Sequence, residues 1–323
     1  MMRHDPTTLP APCMDAVLAL PGRHEGKVRV GYRLDDERLL FVTTDRLSAF
    51  DRVVAGVPYK GQVLNQLAWW WFAATADIVP NHALAQPDPN ALVARAARPL
   101  PVEVIVRARI TGSTSTSLWE RYAAGQRRID GYDLPHGLRK HDVLPRPFVT
   151  PTTKAEHGAH DEPLSSAEVV TRGLVAADVW EQTTEAALAL FARGVDVAER
   201  AGLVLADTKY EFGLDVDGGL LLIDEVHTPD SSRLWVAASL DARLAAGDEP
   251  ESLDKEPVRL ALAAAGFRGD GALPALDPAV WAETSASYVT ALELLTRERF
   301  LPGVYPVQER LVANLTNAGV LHG

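Results

Sequence analysis

The sequence predicts a mixed fold of β-hairpins and separate amphipathic helices, built either as one large unit or as two domains that share a cleft. Three observations carry this. A chain of 323 residues exceeds a minimal domain and is long enough to bury a sizeable core. Hydrophobic residues make up 47% and charged residues 23%, an ordinary globular balance that leaves no case for general disorder. Period-two apolar alternation and helical stripes occupy different stretches, divided by Pro and Gly clusters, with no repeat and no low-complexity block.

Residues 27–44, KVRVGYRLDDERLLFVTT, read as two strands around a DDE turn. Val28, Val30, Tyr32 and Leu34 fall on one face, and Lys27, Arg29 and Arg33 on the other. QVLNQLAWWWFAATA repeats Leu64, Leu67, Trp71 and Ala74 at helical spacing, so its three adjacent tryptophans are read as helix packing rather than a ligand platform. PDPNAL at 87–92 breaks the chain and PVEVIVRARITGS at 101–113 resumes β alternation, which places a lobe boundary near residue 100 and divides 1–100 from 101–323. Residues 125–165 show little periodicity and are read as a long functional loop. Helical patterning over Ala177–Arg200 ends at Gly202, a C-cap signal. Strands follow over 203–226, and a structural helix over 278–299 carries Trp281, Tyr288, Leu292 and Leu295 on one stripe.

The formal charge of -11 argues against nonspecific attraction to nucleic acid or an anionic membrane, so local basic residues must hold any anionic ligand. Cys13 is the only cysteine, which excludes an intrachain disulfide and a Cys-based zinc site and fits a reducing cytoplasm. The first twenty residues lack a basic start and an apolar core, and no long apolar run occurs, so a cytoplasmic, unexported protein is expected. Nothing in the sequence favours monomer over homo-oligomer. P-loop, G-x-G-x-x-G and G-x-S-x-G motifs are absent, as is a plausible Cys nucleophile.

In LVLADTKYEF, residues 203–212, the even positions Val204, Ala206, Tyr210 and Phe212 are mostly apolar, while Asp207, Lys209 and Glu211 share the opposite face. Asp217-Gly218 signals a hairpin, and either a two-residue DG loop or a four-residue VDGG loop sets Glu211 opposite Asp224. Opposed carboxylates repel unless a cation or a shared proton compensates. Mg²⁺ between Glu211, Asp224 and substrate phosphates meets that need, and Lys209 beside them could bind phosphate or a developing acyl phosphate. The plainer reading is a solvated hairpin face on which Lys209 offsets the acids. The apolar run LLLI leading into Asp224 favours burial.

Downstream, TPDSSR supplies Asp230, two hydroxyls and Arg233, either for an anion or as a simple polar turn. ITGSTSTS, behind Arg107 and Arg109, offers backbone donors and hydroxyls. TPTTKAEHGAHDE adds Lys154, Glu156, His157, His160 and Asp161, without histidine spacing suited to a metal. A basic hairpin, GKVR, facing a carboxylate and Mg²⁺ hairpin across a cleft describes an ATP-dependent kinase or ligase better than a hydrolase.

Taken in order over about residues 25–260, the segments GKVR, TTDRLSAFD, KGQVLNQ, PVEVIVR, TGSTSTSLW, TPTTKAEHGAHDE, ADTKYEFG, IDEVHTPDSSR and DKEPVR together resemble the SAICAR synthetase family of purine biosynthesis. The resemblance implies an α+β, ATP-grasp-like fold with a small nucleotide-covering N-terminal lobe, a larger second lobe, and ATP with Mg²⁺ in the cleft between them. It also implies the reaction: ATP phosphorylates the carboxylate of carboxyaminoimidazole ribotide, and the amine of L-aspartate displaces phosphate to give an amide. By the same resemblance Gly26, Lys27, Val28 and Arg29 cover the ATP phosphates, and Leu100 and Glu103 lie at the hinge beside adenine. Arg107, Ser113 and Arg233 grip the ribotide phosphate, Lys154 and Asp161 belong to the substrate loop, Asp207 and Lys209 approach the ribotide carboxylate, and Glu211 and Asp224 hold Mg²⁺ and ATP.

The chain departs from the family pattern at Val30-Gly31-Tyr32, at RAR (107–109), at RIDG (128–131) and at RKHDVL (139–144). These departures gather in and before the implied substrate loops. They raise a second reading, a divergent paralogue ligating an amino acid to a related heteroaromatic ribotide or C-nucleoside carboxylate. A non-catalytic nucleotide-binding protein is the third, disfavoured by the presence of Lys27, Lys209, Glu211 and Asp224.

Overall fold

The structure, a computed structural model, describes residues 9–114, 116–154 and 161–321. Its first part is built from β1 (His24–Glu25), β2 (Arg29–Arg33), β3 (Arg38–Thr43), a small hairpin of β4 (Arg46–Ala49) and β5 (Arg52–Gly56), then α1 (Lys60–Ala74), β6 (Ala83–Asp88) and β7 (Ala91–Arg95). An antiparallel five-stranded sheet runs in the order β1-β2-β3-β7-β6. The expected strand pair around DDE is β2 and β3, with Val30 and Tyr32 buried and Arg33 exposed. PDPN, expected to break the chain, is instead the end of β6 and the two-residue turn, Pro89-Asn90, that leads into β7. There the Asp88 carboxylate accepts from the Asn90 N–H at 2.8 Å, a side chain doing the work of a turn hydrogen bond.

The second sheet has the order β12-β9-β13-β14, with β8 and β15 also paired to β13. Its strands are β8 (Arg98–Pro99), β9 (Val102–Arg109), β12 (Val143–Thr153), β13 (Leu203–Leu214), β14 (Leu220–Ile223) and β15 (Ser232–Val236). Between β9 and β12 lie α2 (Leu118–Ala123) and the short strands β10 (Arg128–Ile129) and β11 (Tyr132–Asp133). Residues 125–165 are therefore not one loop, because β12 pairs along β9 for much of its eleven residues. Pro145, Pro147 and Pro151 mask its alternation in the sequence. They are tolerated because β12 is an edge strand whose register breaks between Val143 and Phe148.

Next come α3 (Ser166–Thr171) and α4 (Ala177–Arg200), which ends before Gly202 at φ 72° as its sequence predicts. Helix α4 packs against β9 and β13 and buries Trp180, Leu190 and Phe191. A Cβ at Gly194 would lie 2.1 Å from the His227 ring, so only glycine lets helix and sheet approach this closely. The chain continues through α5 (Ala237–Ala246), α6 (Glu256–Ala264), α7 (Pro278–Thr296) and α8 (Val307–Asn317). Tyr288, Leu292 and Leu295 of α7 are buried as expected, and α7 packs on α1. Helix α8 has no counterpart in the sequence reading. Its Val307, Leu311 and Leu315 cover Val30, Tyr32, Leu40 and Val42 of the five-stranded sheet, so the end of the chain completes the core begun near its start. Among the described residues no helix is long and apolar enough to cross a membrane.

The three tryptophans of α1 divide as an amphipathic helix requires: Trp71 is fully buried, and Trp69 and Trp70 are partly buried against the same core. Trp71 packs on His227 with ring centroids 4.4 Å apart. Trp71→Ala is expected to lower the unfolding free energy by about 3–5 kcal/mol through lost contacts and a residual cavity. Urea unfolding checks this, and a loss below about 1 kcal/mol would rule out a core role for that side chain.

Candidate active site

The charged strand β13 owes its two faces to a bulge. Its register against β15 shifts between Leu205 and Asp207, which moves the alternation by one residue. Leu203 and Leu205 therefore join Tyr210 and Phe212 in the main core, while Ala206 and Val204 pack with Trp235 and Leu240. This corrects the expected single set of even apolar positions. Beyond the bulge, Asp207, Lys209 and Glu211 do share a face. That face is not a solvated one, since Asp207 is 3% and Glu211 9% exposed.

Register across three strands then assembles a first cluster. Asp207 stands opposite Arg107 on β9 and opposite Arg233 on β15. Its Oδ2 accepts from Arg107 at 3.2 Å and from Arg233 at 2.7 Å. Arg107 also donates to the Thr150 hydroxyl at 2.9 Å, and Arg233 reaches Glu256 at 3.5 Å. Glu256 accepts from the Ser113 hydroxyl at 2.6 Å and from Arg259 at 2.9 Å. The structure thus brings Arg107, Ser113 and Arg233 together, linked by two carboxylates. Burial lowers Arg107 from the ordinary guanidinium range. Burial would also lower Arg233, but Asp207 and Glu256 outweigh it and hold that group above its range.

A second cluster lies along the same strand. Lys209 donates to Glu103 at 2.8 Å and to Glu211 at 2.7 Å, and Lys154 also pairs with Glu211. Burial would lower the Lys209 ammonium, yet Glu211 and Glu103 outweigh it and hold it above its usual range. Burial would raise Glu211, but Lys209 and Lys154 hold it at about 2, below the ordinary 4.5. Because this folded value lies below the unfolded one, the resulting stabilisation is present above about pH 4.5 and is lost as the pH falls toward about 2. Glu256, held at about 2 by Arg233 and Arg259 against the effect of burial, acts in the same window. Unfolding free energy from urea titrations should therefore fall as the pH drops from about 4.5 toward about 2, and Glu211→Gln should flatten that fall. An unchanged slope in the variant would remove Glu211 as a source.

The expected hairpin register is off by one residue. Leu214 pairs with Leu220, and Glu211 stands opposite Ile223 rather than Asp224. The cause is a five-residue loop in which the Asp215 carboxylate accepts from the Asp217 and Gly219 N–H groups at 3.0 and 2.7 Å and Gly218 takes φ 84°. Asp224 follows β14 in the left-handed region at φ 70°, a conformation aspartate tolerates better than most residues. It still reaches the cleft: Glu211, Ile223 and Asp224 line one cavity of about 480 Å³.

That cavity draws its walls from both sheets. Leu39, Phe41, Leu92, Ala97, Pro99 and Ile223 supply apolar surface, Arg29, Lys154, Glu211 and Asp224 supply charge beside Gly26, and His24, Asn65, His82 and Arg95 add further polar groups. Arg29 pairs with Asp224 and lies 3.5 Å from Glu225. Of the other GKVR residues, Val28 accepts from the Thr44 N–H at 2.9 Å, and Lys27 is half-exposed and bonded to Asp51 at 2.5 Å. Neither lines the cavity. Leu100 is buried beside it and donates its N–H to Phe212 at 2.8 Å. Asp161 is partly exposed, and the expected Glu156, His157 and His160 lie outside the described residues. Asp230 takes no part in an anion site: it is buried, bonded to Lys60 at 2.8 Å and to the Tyr288 hydroxyl at 2.6 Å.

Among the described residues no group of three or more His, Cys, Asp or Glu side chains could hold a metal alone. Two carboxylates lining one cavity nevertheless fit Mg²⁺, which takes few protein ligands and completes its shell with phosphate oxygens and water. Each of the two, Glu211 and Asp224, has a cationic partner in the present structure. Glu256, Arg259 and Thr150 are site residues that the sequence reading did not single out. The first two sit in DKEPVR, where a carboxylate and an arginine three residues apart on a helix were the available signal.

A mixed α/β fold whose partly apolar cavity carries the ion-paired carboxylates and cations Glu211, Asp224, Lys154 and Arg29 is the build of a cleft enzyme acting on charged small molecules. The chain belongs to the SAICAR synthetase family, whose sequence profile matches residues 22–274. A putative phosphoribosylaminoimidazole-succinocarboxamide synthase 2 of Mesorhizobium japonicum is 46% identical over 298 residues, covering 92% of this chain and 95% of that one. The phosphoribosylaminoimidazole-succinocarboxamide synthase of Legionella pneumophila strain Lens is also 46% identical, covering 91% and 94%. Among solved structures, the SAICAR synthase of Saccharomyces cerevisiae complexed with SAICAR superposes with a TM-score of 0.77 at 32% identity, covering 90% of this chain and all of that one.

Proposed function

We infer that the protein is an ATP-dependent ligase that joins L-aspartate to the carboxylate of carboxyaminoimidazole ribotide, giving SAICAR, ADP and phosphate. The observation that carries this is the family match over residues 22–274, which spans both charged clusters and the cavity between the sheets. The paralogue reading is not favoured, since relatives 46% identical over nine-tenths of the chain are named for the purine reaction.

The assignment of residues is our proposal. The ribotide phosphate displaces the carboxylates between Arg107, Ser113 and Arg233, where both guanidinium groups already converge. The ribotide carboxylate then lies along β13 toward Lys209 and Asp207. Its oxygen attacks the γ-phosphorus of ATP, ADP leaves, and the acyl phosphate places a good leaving group on a carbon that was a poor electrophile. Lys209, kept protonated by Glu103 and Glu211, neutralises charge on the transferring group and on the departing phosphate. The unprotonated amine of L-aspartate attacks the carbonyl carbon, phosphate departs and the amide forms. Gly26, Lys27, Val28 and Arg29 cover the ATP phosphates, with Arg29 exchanging Asp224 for phosphate oxygen, and Leu100 flanks the adenine end, whereas the Glu103 carboxylate, expected there too, is bonded to Lys209 at 2.8 Å and acts by holding that ammonium. Glu211 and Asp224 would hold Mg²⁺, which neutralises nucleotide phosphate charge when bound, and Lys154 and Asp161 contribute to ribotide binding. A small nucleotide-covering part over 1–100 and a larger part over 101–323, arranged as in ATP-grasp enzymes, belong to the same proposal, with α8 returning to the N-terminal sheet.

ADP release tests the reaction when ATP, L-aspartate and ribotide are each omitted in turn. Release that needs all three supports the ligation. Release only with a different heteroaromatic carboxylate would replace the substrate, and retained ATP binding without release would replace the enzyme class.

A further inference from the structure

Two of the departures from the family pattern meet in space. Arg109 of RAR donates to the backbone carbonyl of His141 in RKHDVL at 3.2 Å. Both side chains pack on Trp235, the guanidinium carbon 5.7 Å from a ring centroid and the imidazole edge-on at 5.2 Å. His141 is 6% exposed and takes φ 73°, in the left-handed region. Backbone bonds hold it there: the His141 N–H donates to Ile110 at 2.7 Å, and the Ile110 N–H donates to Asp142 at 3.0 Å. Both ring nitrogens are engaged. Nε2 lies 3.0 Å from Glu249, whose carboxyl is held at about 2 by that bond and by Lys140 against its partial burial, so Glu249 only accepts and Nε2 carries the proton. Nδ1 of the neutral ring then accepts from the Thr111 hydroxyl at 3.0 Å.

Thr111 and Trp235 stand behind the groups assigned to the ribotide phosphate. Thr111 precedes Ser113 across Gly112, which takes φ 115° and where a Cβ would lie 2.3 Å from Ser117 and 3.6 Å from Nη2 of Arg233. Trp235 follows Arg233 by two residues on β15, so the two side chains share a face of that strand. Between Thr111, His141, Arg233, Trp235 and Glu249 remains a cavity of only about 20 Å³, room for a single water, which leaves the turn little space to shift. We propose that His141 is a positioning residue for the ribotide: wedged between Thr111, Trp235 and Glu249, it sets the turn that carries Ser113 against Arg233 before the substrate arrives. The proposal rests on the ligase reading, in which Ser113 and Arg233 receive the ribotide phosphate.

Steady-state kinetics tests this through the split between constants. His141→Ala should raise KM for carboxyaminoimidazole ribotide by about 10-fold, the effect of one buried hydrogen bond, with kcat and KM for ATP within about twofold of wild type. Asparagine places its amide where Nδ1 lies and tolerates the left-handed backbone, so His141→Asn keeps the Thr111 bond and should stay within about threefold of the wild-type ribotide KM. Glutamine reaches the Nε2 position, keeps only the Glu249 bond and should behave like His141→Ala. A role in stability alone would lower the melting temperature and leave the ribotide KM in place. A ribotide KM in His141→Ala within about twofold of wild type, an equal rise in the KM for ATP, or an asparagine variant no better than the glutamine one overturns the proposal. Should His141→Ala not fold, Thr111→Val and Thr111→Ser decide: valine removes the hydroxyl and should raise the ribotide KM by about 10-fold, serine keeps it and should not, and equal values overturn the proposal. Wild type inert with the ribotide removes the ligase reading and this proposal with it, whereas wild-type turnover with unmoved variant KM values removes this proposal alone.

Discussion

Lys209→Met should lower kcat by about 10³-fold while the protein stays folded and still binds ATP. Lys209 is the cation common to Glu103 and Glu211, and no other ammonium in the site is bonded to two carboxylates among the described residues. The acyl phosphate forms and breaks with negative charge growing on oxygens beside this strand, so a fixed positive group there acts in the transition state more than in the ground state. Methionine keeps the volume and removes the charge. Glu103 then loses its bonded cation, whereas Glu211 keeps Lys154, so the carboxylates are not both orphaned. Steady-state kinetics with all three substrates reads the effect. A kcat within about tenfold of wild type would place the chemistry away from Lys209.

Arg233→Gln should raise KM for the ribotide by about 100-fold and leave KM for ATP within about twofold of wild type. Arg233 is the group through which Asp207 and Glu256 communicate, and both carboxylates retain another arginine when it is lost, Arg107 and Arg259 respectively. The variant therefore avoids an uncompensated buried charge, which would confuse folding with binding. Arg233→Lys should not restore the KM, because an ammonium on a flexible stem cannot reproduce the two-sided fork. An ATP KM that rises in parallel would show that the two charged clusters do not serve separate substrates.

The parts of this molecule legible in the sequence are those set by local period. Alternation over 27–44 and over 207–212, the stripe of α4 and the glycine after it, and the packing role of Trp71 all follow from neighbours close in the chain. Residues that a single strand aligns, Asp207, Lys209 and Glu211, were likewise readable as a group. What eluded the sequence depends on irregularity or distance. One bulge at Leu205–Asp207 reassigns the apolar positions before it, and one extra loop residue, held by Asp215, moves Glu211 from Asp224 to Ile223. Prolines hide β12 inside what reads as a loop. The return of α8 to the first sheet and the pairing of Ser113 with Glu256, 143 residues apart, are tertiary facts with no local signature.

Transfer of oxygen between substrates reports on the acyl phosphate itself. With carboxyaminoimidazole ribotide labelled by ¹⁸O in both carboxylate oxygens, the ligation mechanism requires one ¹⁸O to leave with phosphate and one to remain in the SAICAR amide for every ADP formed. Mass spectrometry of the released phosphate should show that single label in each turnover dependent on L-aspartate. Unlabelled phosphate accompanying SAICAR would mean that the carboxylate is never phosphorylated.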